Sequence, residues 1–188
     1  MERNKINNWQ PSPDLEKFIA KHKKIMFITF GSMTNPKPLE KTKIILDILE
    51  NHKIPAIINT AAGGLINPQG YQSDLIHFVS QIPYDWVFPK VYSVIHHGGA
   101  GTTHLAIKYG CSSMIIPHII DQYMWNKLIA QKNLGPLGIK ISKLSKSNLA
   151  PKLLDLFVNK KYKKTAEQLG KQMQKENFEK EFIDFITH

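Results

Sequence analysis

Cysteine is almost absent from this chain. Its 188 residues include one, Cys111, so no disulfide closes within the chain and no cysteine cluster holds a metal. A buried thiol is the expected state. No apolar run approaches the roughly 20 residues that span a bilayer. Met1-Glu2-Arg3-Asn4-Lys5 leads into polar residues instead of the apolar centre of a signal peptide. A cytoplasmic protein is the expectation. Acidic residues are also scarce: 15 Asp and Glu stand against 25 Lys and Arg, for a net charge of +10. That balance suits anionic partners. The cluster Lys160-Lys161-Tyr162-Lys163-Lys164 reads as a solvated helix face or as a surface for peripheral association with an anionic membrane. No interleaving of basic and aromatic residues points to nucleic acid. Internal repeats and low-complexity segments are missing as well.

What is present suffices for one packed domain and is short for two, with 42% hydrophobic residues over 188 positions. Residues 1–23 are polar and punctuated by proline, and are expected to behave as an interdomain linker, with the domain proper over 24–188. Six short apolar, β-branched runs recur at 25–30, 54–59, 75–79, 91–96, 113–116 and 138–141. Helical candidates lie between them at 39–51, 102–109 and 122–132, and a short helix is expected around Trp86 and Phe88. Alternation of strand and helix predicts a parallel sheet with right-handed crossovers. After Ser145 the pattern turns helical, with Leu149, Leu153, Leu156 and Phe157 on one stripe and Tyr162, Ala166, Leu169 and Met173 on another. The expected architecture is therefore α/β, a Rossmann-like six-stranded parallel sheet with helices on both faces and a helical C-terminal tail.

The most informative stretch is Ile95-His96-His97-Gly98-Gly99-Ala100-Gly101-Thr102-Thr103-His104, followed eighteen residues after Thr103 by Asp121-Gln122. It reads as strand, glycine turn and helix start. Glycines let backbone come close to a ligand, and the free N–H groups and dipole of a helix start favour phosphate. A diphosphate is the natural guest. Gly99, Ala100, Gly101, Thr102 and Thr103 are the expected cradle, although a plain helix cap would also use glycine and threonine. His97 ends the strand beside the turn, where its imidazole N–H can donate to a phosphate oxygen. The other reading of His97 is a strand-end histidine satisfied by backbone. His96 should face the opposite side of the sheet and reads as structural. Asp121 and Gln122 offer a carboxylate and a carboxamide side by side, able to share several sugar hydroxyls; Asp121 as a helix N-cap is the alternative. Gly31-Ser32 closes the first strand with a second turn at the same sheet edge. The histidines 96, 97, 104 and 118 near Asp121 match no standard metal-ligand spacing, and no metal is expected.

With Tyr84-Asp85-Trp86-Val87-Phe88-Pro89-Lys90-Val91 before the turn and Pro117-His118-Ile119-Ile120-Asp121-Gln122 after it, the segment resembles the nucleotide-sugar-binding signature of the UDP-glycosyltransferases. It is most similar to the branch of sterol glucosyltransferases and bacterial antibiotic glycosyltransferases. The resemblance runs from about Trp9-Gln10-Pro11, through Phe30-Gly31-Ser32-Met33, to about Ser145. It implies one half of a GT-B fold, the donor domain, with UDP-sugar as substrate and no cofactor. It also implies that His97 stabilises the leaving diphosphate, that the two glycine turns hold that diphosphate, and that Asp121 and Gln122 hold the hexose. Many relatives carry a tryptophan sixteen residues before the histidine to stack the base. Here that position is Gln81, so Gln81 and the backbone of Ile82 are expected to hydrogen-bond the base edge. Trp86 matches a packed position.

Three function classes follow. The first is the donor half of an inverting glycosyltransferase that transfers a hexose to an acceptor hydroxyl, its general base residing on an acceptor domain. The second is a non-catalytic nucleotide-sugar-binding subunit of a split glycosyltransferase, working with a partner chain. The third is a dinucleotide-binding oxidoreductase, suggested by Gly99-Ala100-Gly101 and by Asp121 twenty residues on. Against it, the sixth fingerprint position is His104 and Asp121 lies past Pro117.

Overall fold

The computed structural model describes residues 9–175. Five short strands alternate with helices: β1 (Met26–Thr29), β2 (Ala56–Asn59), β3 (Ile76–Val79), β4 (Ser93–His96) and β5 (Ser112–Ile115). All pair in parallel in the order β3-β2-β1-β4-β5. The chain order reverses between β1 and β4, so the crevice outside their C-terminal ends is the place where ligands bind in such sheets.

Four strands are buried along their whole length, as the near-continuous apolar runs require when both faces are covered. On one face Met26, Ile28 and Ile58 pack against α2 (Pro38–Asn51) and α6 (Lys146–Val158), through Ile45, Leu49, Leu149 and Leu153. On the other, Phe27, Ile57 and Val94 pack against α1 (Pro13–Lys21), α3 (Tyr84–Val87) and α4 (Ala100–Lys108). A third cluster joins Ile115 to α5 (Ile120–Gln131) and α7 (Lys160–Lys175), through Ile129 and Ala166. Cys111 is buried, its thiol 3.2 Å from the Phe88 carbonyl and pushed up to about 12 by burial. It is an inert core residue.

Two features differ from the sequence-based expectation or extend it. The sixth strand does not form: among the described residues the sheet has five strands, and residues 138–140 carry no regular secondary structure before a 3₁₀ turn at Ile141–Lys143. Both backbone groups of Gly138 are taken by one side chain, with Asn126 Oδ1 accepting its N–H at 2.8 Å and Asn126 Nδ2 donating to its carbonyl at 3.3 Å. Pro136 supplies no N–H to a ladder. Residues 9–21, read as linker-like, carry α1, capped by Ser12 Oγ accepting from Leu15 N at 3.2 Å and docked through Leu15 and Phe18. Residues 1–8 and the end of the helical tail after residue 175 lie outside the described residues. Among the described residues, no helix is long and apolar enough to cross a membrane.

Candidate donor-binding site

The two glycine turns, 68 residues apart in sequence from Gly31 to Gly99, meet on one histidine. Gly31 follows β1 and Gly99 follows β4, adjacent strands at the reversal of chain order. A Cβ on Gly31 would lie 2.9 Å from His97 Cε1, and one on Gly99 would lie 2.5 Å from His97 Nε2. The imidazole is thus wedged between two bare backbones, and any larger residue at either turn would displace it. Gly31 also adopts φ +57, a conformation other residues enter at a cost.

Beneath the turns runs a row of buried polar side chains that sequence reasoning did not single out. Thr29 Oγ1 accepts the Gly31 N–H at 3.1 Å and pairs with the Tyr84 hydroxyl at 2.9 Å, while Asn59 Nδ2 reaches it at 3.4 Å. Asn59 Oδ1 accepts the Ala61 N–H at 3.1 Å. Thr29 and Asn59 are cross-strand partners in β1 and β2. They fix the loops after both strands by side-chain-to-backbone bonds. The only sequence signal was a polar residue closing each of two apolar strands, visible at Thr29 and Asn59.

His96 continues this row on β4, opposite Thr29. It is completely buried, and its Nδ1 accepts the Gly98 N–H at 3.1 Å, which places the proton of the neutral ring on Nε2. Burial, reinforced by His97, lowers its pKa to about 3. His96 therefore shapes the turn as a neutral ring.

His97 is 9% exposed, and its Nδ1 has no partner among the described residues. Burial first, then the charge of His118, lowers its pKa, and Asp121 opposes them. His118 donates from Nδ1 to the Ile116 carbonyl at 2.9 Å, packs edge-on against Phe30 at 4.9 Å, and leaves Nε2 without a partner among the described residues. Its pKa is likewise lowered, by burial. Near neutral pH the crevice thus offers imidazoles in their neutral form, able to donate or accept but carrying little charge of their own.

The helix that opens the cradle is α4. Gly99 is its N-cap, with no side chain to bond the first turn. The first backbone bond back to the cap comes from Thr103 N to the Gly99 carbonyl at 2.9 Å, so the amides of Ala100, Gly101 and Thr102 have no acceptor within the helix. Ala100 and Gly101 are exposed, and a Cβ on Gly101 would meet nothing within 4 Å. Thr103, expected as a phosphate donor, is fully buried and points inward. Its hydroxyl bonds the same Gly99 carbonyl at 2.9 Å. Thr102 is half-buried.

Asp121 and Gln122 sit in the first turn of α5, at the C-terminal edge of β5, and the structure divides them. Asp121 is exposed at the second helical position, so the N-cap reading does not hold; the cap is Ile119. Gln122 is 2% exposed, and its Oε1 accepts the amides of His118 at 2.7 Å and Ile119 at 3.2 Å. That carboxamide oxygen is spent on holding the loop before α5.

An open cleft of about 540 Å³ is lined by Gly31, Ser32, Asn59, Gln81, Ile82 and Tyr84, among others. It places the expected base residues beside the first glycine turn. His97, the α4 start and Asp121 lie outside that lining. Trp86 packs in the cluster of α1 and α3 rather than in the cleft. Among the described residues, no group of three or more His, Cys, Asp or Glu side chains is arranged to hold a metal ion.

Residues 64–187 match the family described as erythromycin biosynthesis protein CIII-like, C-terminal domain. Two similar proteins of Arabidopsis thaliana are sterol 3-beta-glucosyltransferase UGT80A2, 33% identical over 91% of this chain and 26% of the relative, and sterol 3-beta-glucosyltransferase UGT80B1, 36% identical over 77% of this chain and 23% of the relative. The chain thus spans about a quarter of the length of these curated relatives. Among solved structures, a UDP-glucose:anthocyanidin 3-O-glucosyltransferase in complex with UDP superposes with a TM-score of 0.75 at 19% identity, over 90% of this chain and 40% of that one. The glycotransferase of kitacinnamycin superposes with a TM-score of 0.71 at 15% identity, over 93% and 43%. These likenesses show the fold, one half of the GT-B architecture.

Proposed function

The chain belongs to the erythromycin biosynthesis protein CIII-like C-terminal domain family, and from that membership we propose that it is the UDP-sugar-binding half of an inverting glycosyltransferase. The observation that carries the reading is the convergence of Gly31 and Gly99 on His97 at the reversal of strand order. Bare backbone, free helix-start amides and an imidazole with an unpartnered nitrogen suit a diphosphate.

In the reaction, an acceptor hydroxyl attacks the anomeric carbon, the bond from that carbon to the diphosphate oxygen breaks, and UDP departs from the opposite face. Negative charge grows on the diphosphate. The amides of Ala100, Gly101 and Thr102, together with His97, stabilise it there. Ser32 approaches the same group from the β1 turn. Asp121 accepts hydroxyl protons of the hexose, and Gln122 contributes its Nε2 while its oxygen holds the loop. Gln81 and Ile82 meet the base in the cleft. Thr103 acts on the cradle by fixing the Gly99 carbonyl.

The general base belongs to an acceptor domain or a partner chain, so this chain alone binds donor and transfers sugar poorly. An apolar surface beside Asp121 supports such a partner: Ile119, Ile120 and Met124 are 49%, 88% and 66% exposed. The exposed lysines of α7 suit peripheral contact with an anionic membrane, which sedimentation with anionic vesicles checks; no sedimentation removes that contact. The donor site itself is tested by calorimetric titration with UDP, UDP-glucose and NAD. Binding of the uridine ligands alone supports the reading, and binding of NAD alone overturns it in favour of a dinucleotide enzyme.

A further inference from the structure

We propose that Trp9 is a positioning residue for base recognition: its indole N–H fixes the peptide between Gln81 and Ile82, so that the Ile82 N–H faces the nucleobase. The inference deepens the proposed donor site and rests on it. Trp9 precedes α1, yet its Nε1 donates to the Gln81 carbonyl at 3.2 Å, across 72 residues of sequence. The Trp9 ring is held in turn by Trp86, edge-on with centroids 4.9 Å apart. Trp86 is itself clamped by Lys90, whose ammonium lies 4.1 Å from the ring centroid and bonds the Trp86 carbonyl at 2.9 Å.

The consequence follows from peptide geometry. In a trans peptide the carbonyl and the next N–H point in opposite directions, and among the described residues no peptide bond is cis. With the Gln81 carbonyl turned to Trp9, the Ile82 N–H points away from it. Gln81 and Ile82 line the cleft and Trp9 does not. Among the described residues the Ile82 N–H has no backbone acceptor. It is a free donor, oriented from behind by an indole.

A donor presented to the base edge selects bases that offer a ring carbonyl there, as uracil and thymine do, over those that offer an amino group. At the position where relatives stack a tryptophan this chain has Gln81, so a fixed peptide plane takes on more of the discrimination. Trp9 supplies that fixing from the N-terminal segment, outside the cleft.

The test is calorimetric titration of the full chain and of Trp9→Phe with UDP, CDP and inorganic pyrophosphate. Phenylalanine keeps the ring contact with Trp86 and removes the N–H. The expected result is an increase of about fivefold in Kd for UDP, the scale of one neutral hydrogen bond, with a smaller preference for UDP over CDP and unchanged pyrophosphate binding. Unchanged UDP binding, or equal weakening of UDP and pyrophosphate, overturns the inference. Replacing Trp9 by its benzothienyl isostere, which exchanges only the N–H for sulfur, gives the same readout with packing conserved. If the unmodified chain binds pyrophosphate but no UDP, the donor-site reading falls and this one with it. If it binds UDP and both variants match it, this inference alone falls.

Discussion

Replacing Gly101 by alanine separates stability from ligand binding at a single methyl group. Gly101 is the second residue of α4, exposed, and among the described residues a Cβ there meets no atom within 4 Å beyond its own helix turn. Nothing in the fold asks for glycine. Alanine is the better helix former by up to about 1 kcal/mol, which for a chain of this size raises the melting temperature by about 2–4 °C. The open space is where a diphosphate would approach the free amides of Ala100, Gly101 and Thr102. A methyl group there holds the phosphate off, and the expected loss in UDP affinity is about tenfold, or about 1.4 kcal/mol. The assay is a thermal melt and a UDP titration on the same sample. Gly98→Ala is the contrasting control. Gly98 has φ +98, and its Cβ would lie 2.6 Å from Ile115 Cγ2, so that variant loses stability by about 1 kcal/mol or more. A Gly101→Ala protein that is stable and binds UDP like the parent refutes the cradle, and one that is destabilised refutes the reading of open space.

Other expectations are equally direct. Asp121→Ala should weaken UDP-glucose binding and spare UDP, whereas His97→Ala should weaken both; equal loss of the two ligands in Asp121→Ala sinks the sugar assignment, with folding of each variant checked by its melt. Acid should destabilise the fold before its carboxylates titrate. The folded pKa of His96 is depressed by burial to about 3, against about 6.5 in an unfolded chain. Its contribution is complete above pH 6.5 and is lost as pH falls towards 3. His77, His97 and His118 shift the same way through burial. A urea midpoint that stays constant from pH 7 to pH 5 contradicts this. Asn126→Leu should cost about 1–3 kcal/mol by stripping both bonds from the Gly138 backbone; an unchanged urea midpoint would show that water replaces them.

The local order of this protein was legible in its sequence. The first five apolar runs became β1 to β5, each within two residues of its expected bounds, because burial of a strand on both faces writes a continuous apolar run. The helical runs around 39–51 and 122–132 became α2 and α5, and the Gly-Thr stretch after His97 opened α4. Leu149, Leu153 and Leu156 fell on one buried stripe of α6, as their spacing requires. The sixth run failed since periodicity does not reveal that a side chain twelve residues upstream, Asn126, satisfies the Gly138 backbone.

Tertiary structure alone decided which polar groups were available and which were spent. Thr103 and Gln122 have the chemistry of ligand contacts in the sequence, but the hydroxyl of the first and the carboxamide oxygen of the second close backbone bonds inside the fold. Thr29, Asn59 and Tyr84 hold the glycine turns from beneath, and Trp9 reaches Gln81 from far along the chain. The physical reason is one of range. Periodicity and turn chemistry act over a few residues and are carried by the residues themselves. The partner of a buried polar atom is set by which strands lie side by side, and the pairing of β1 with β4 is what brings Gly31, His97 and Gly99 into contact.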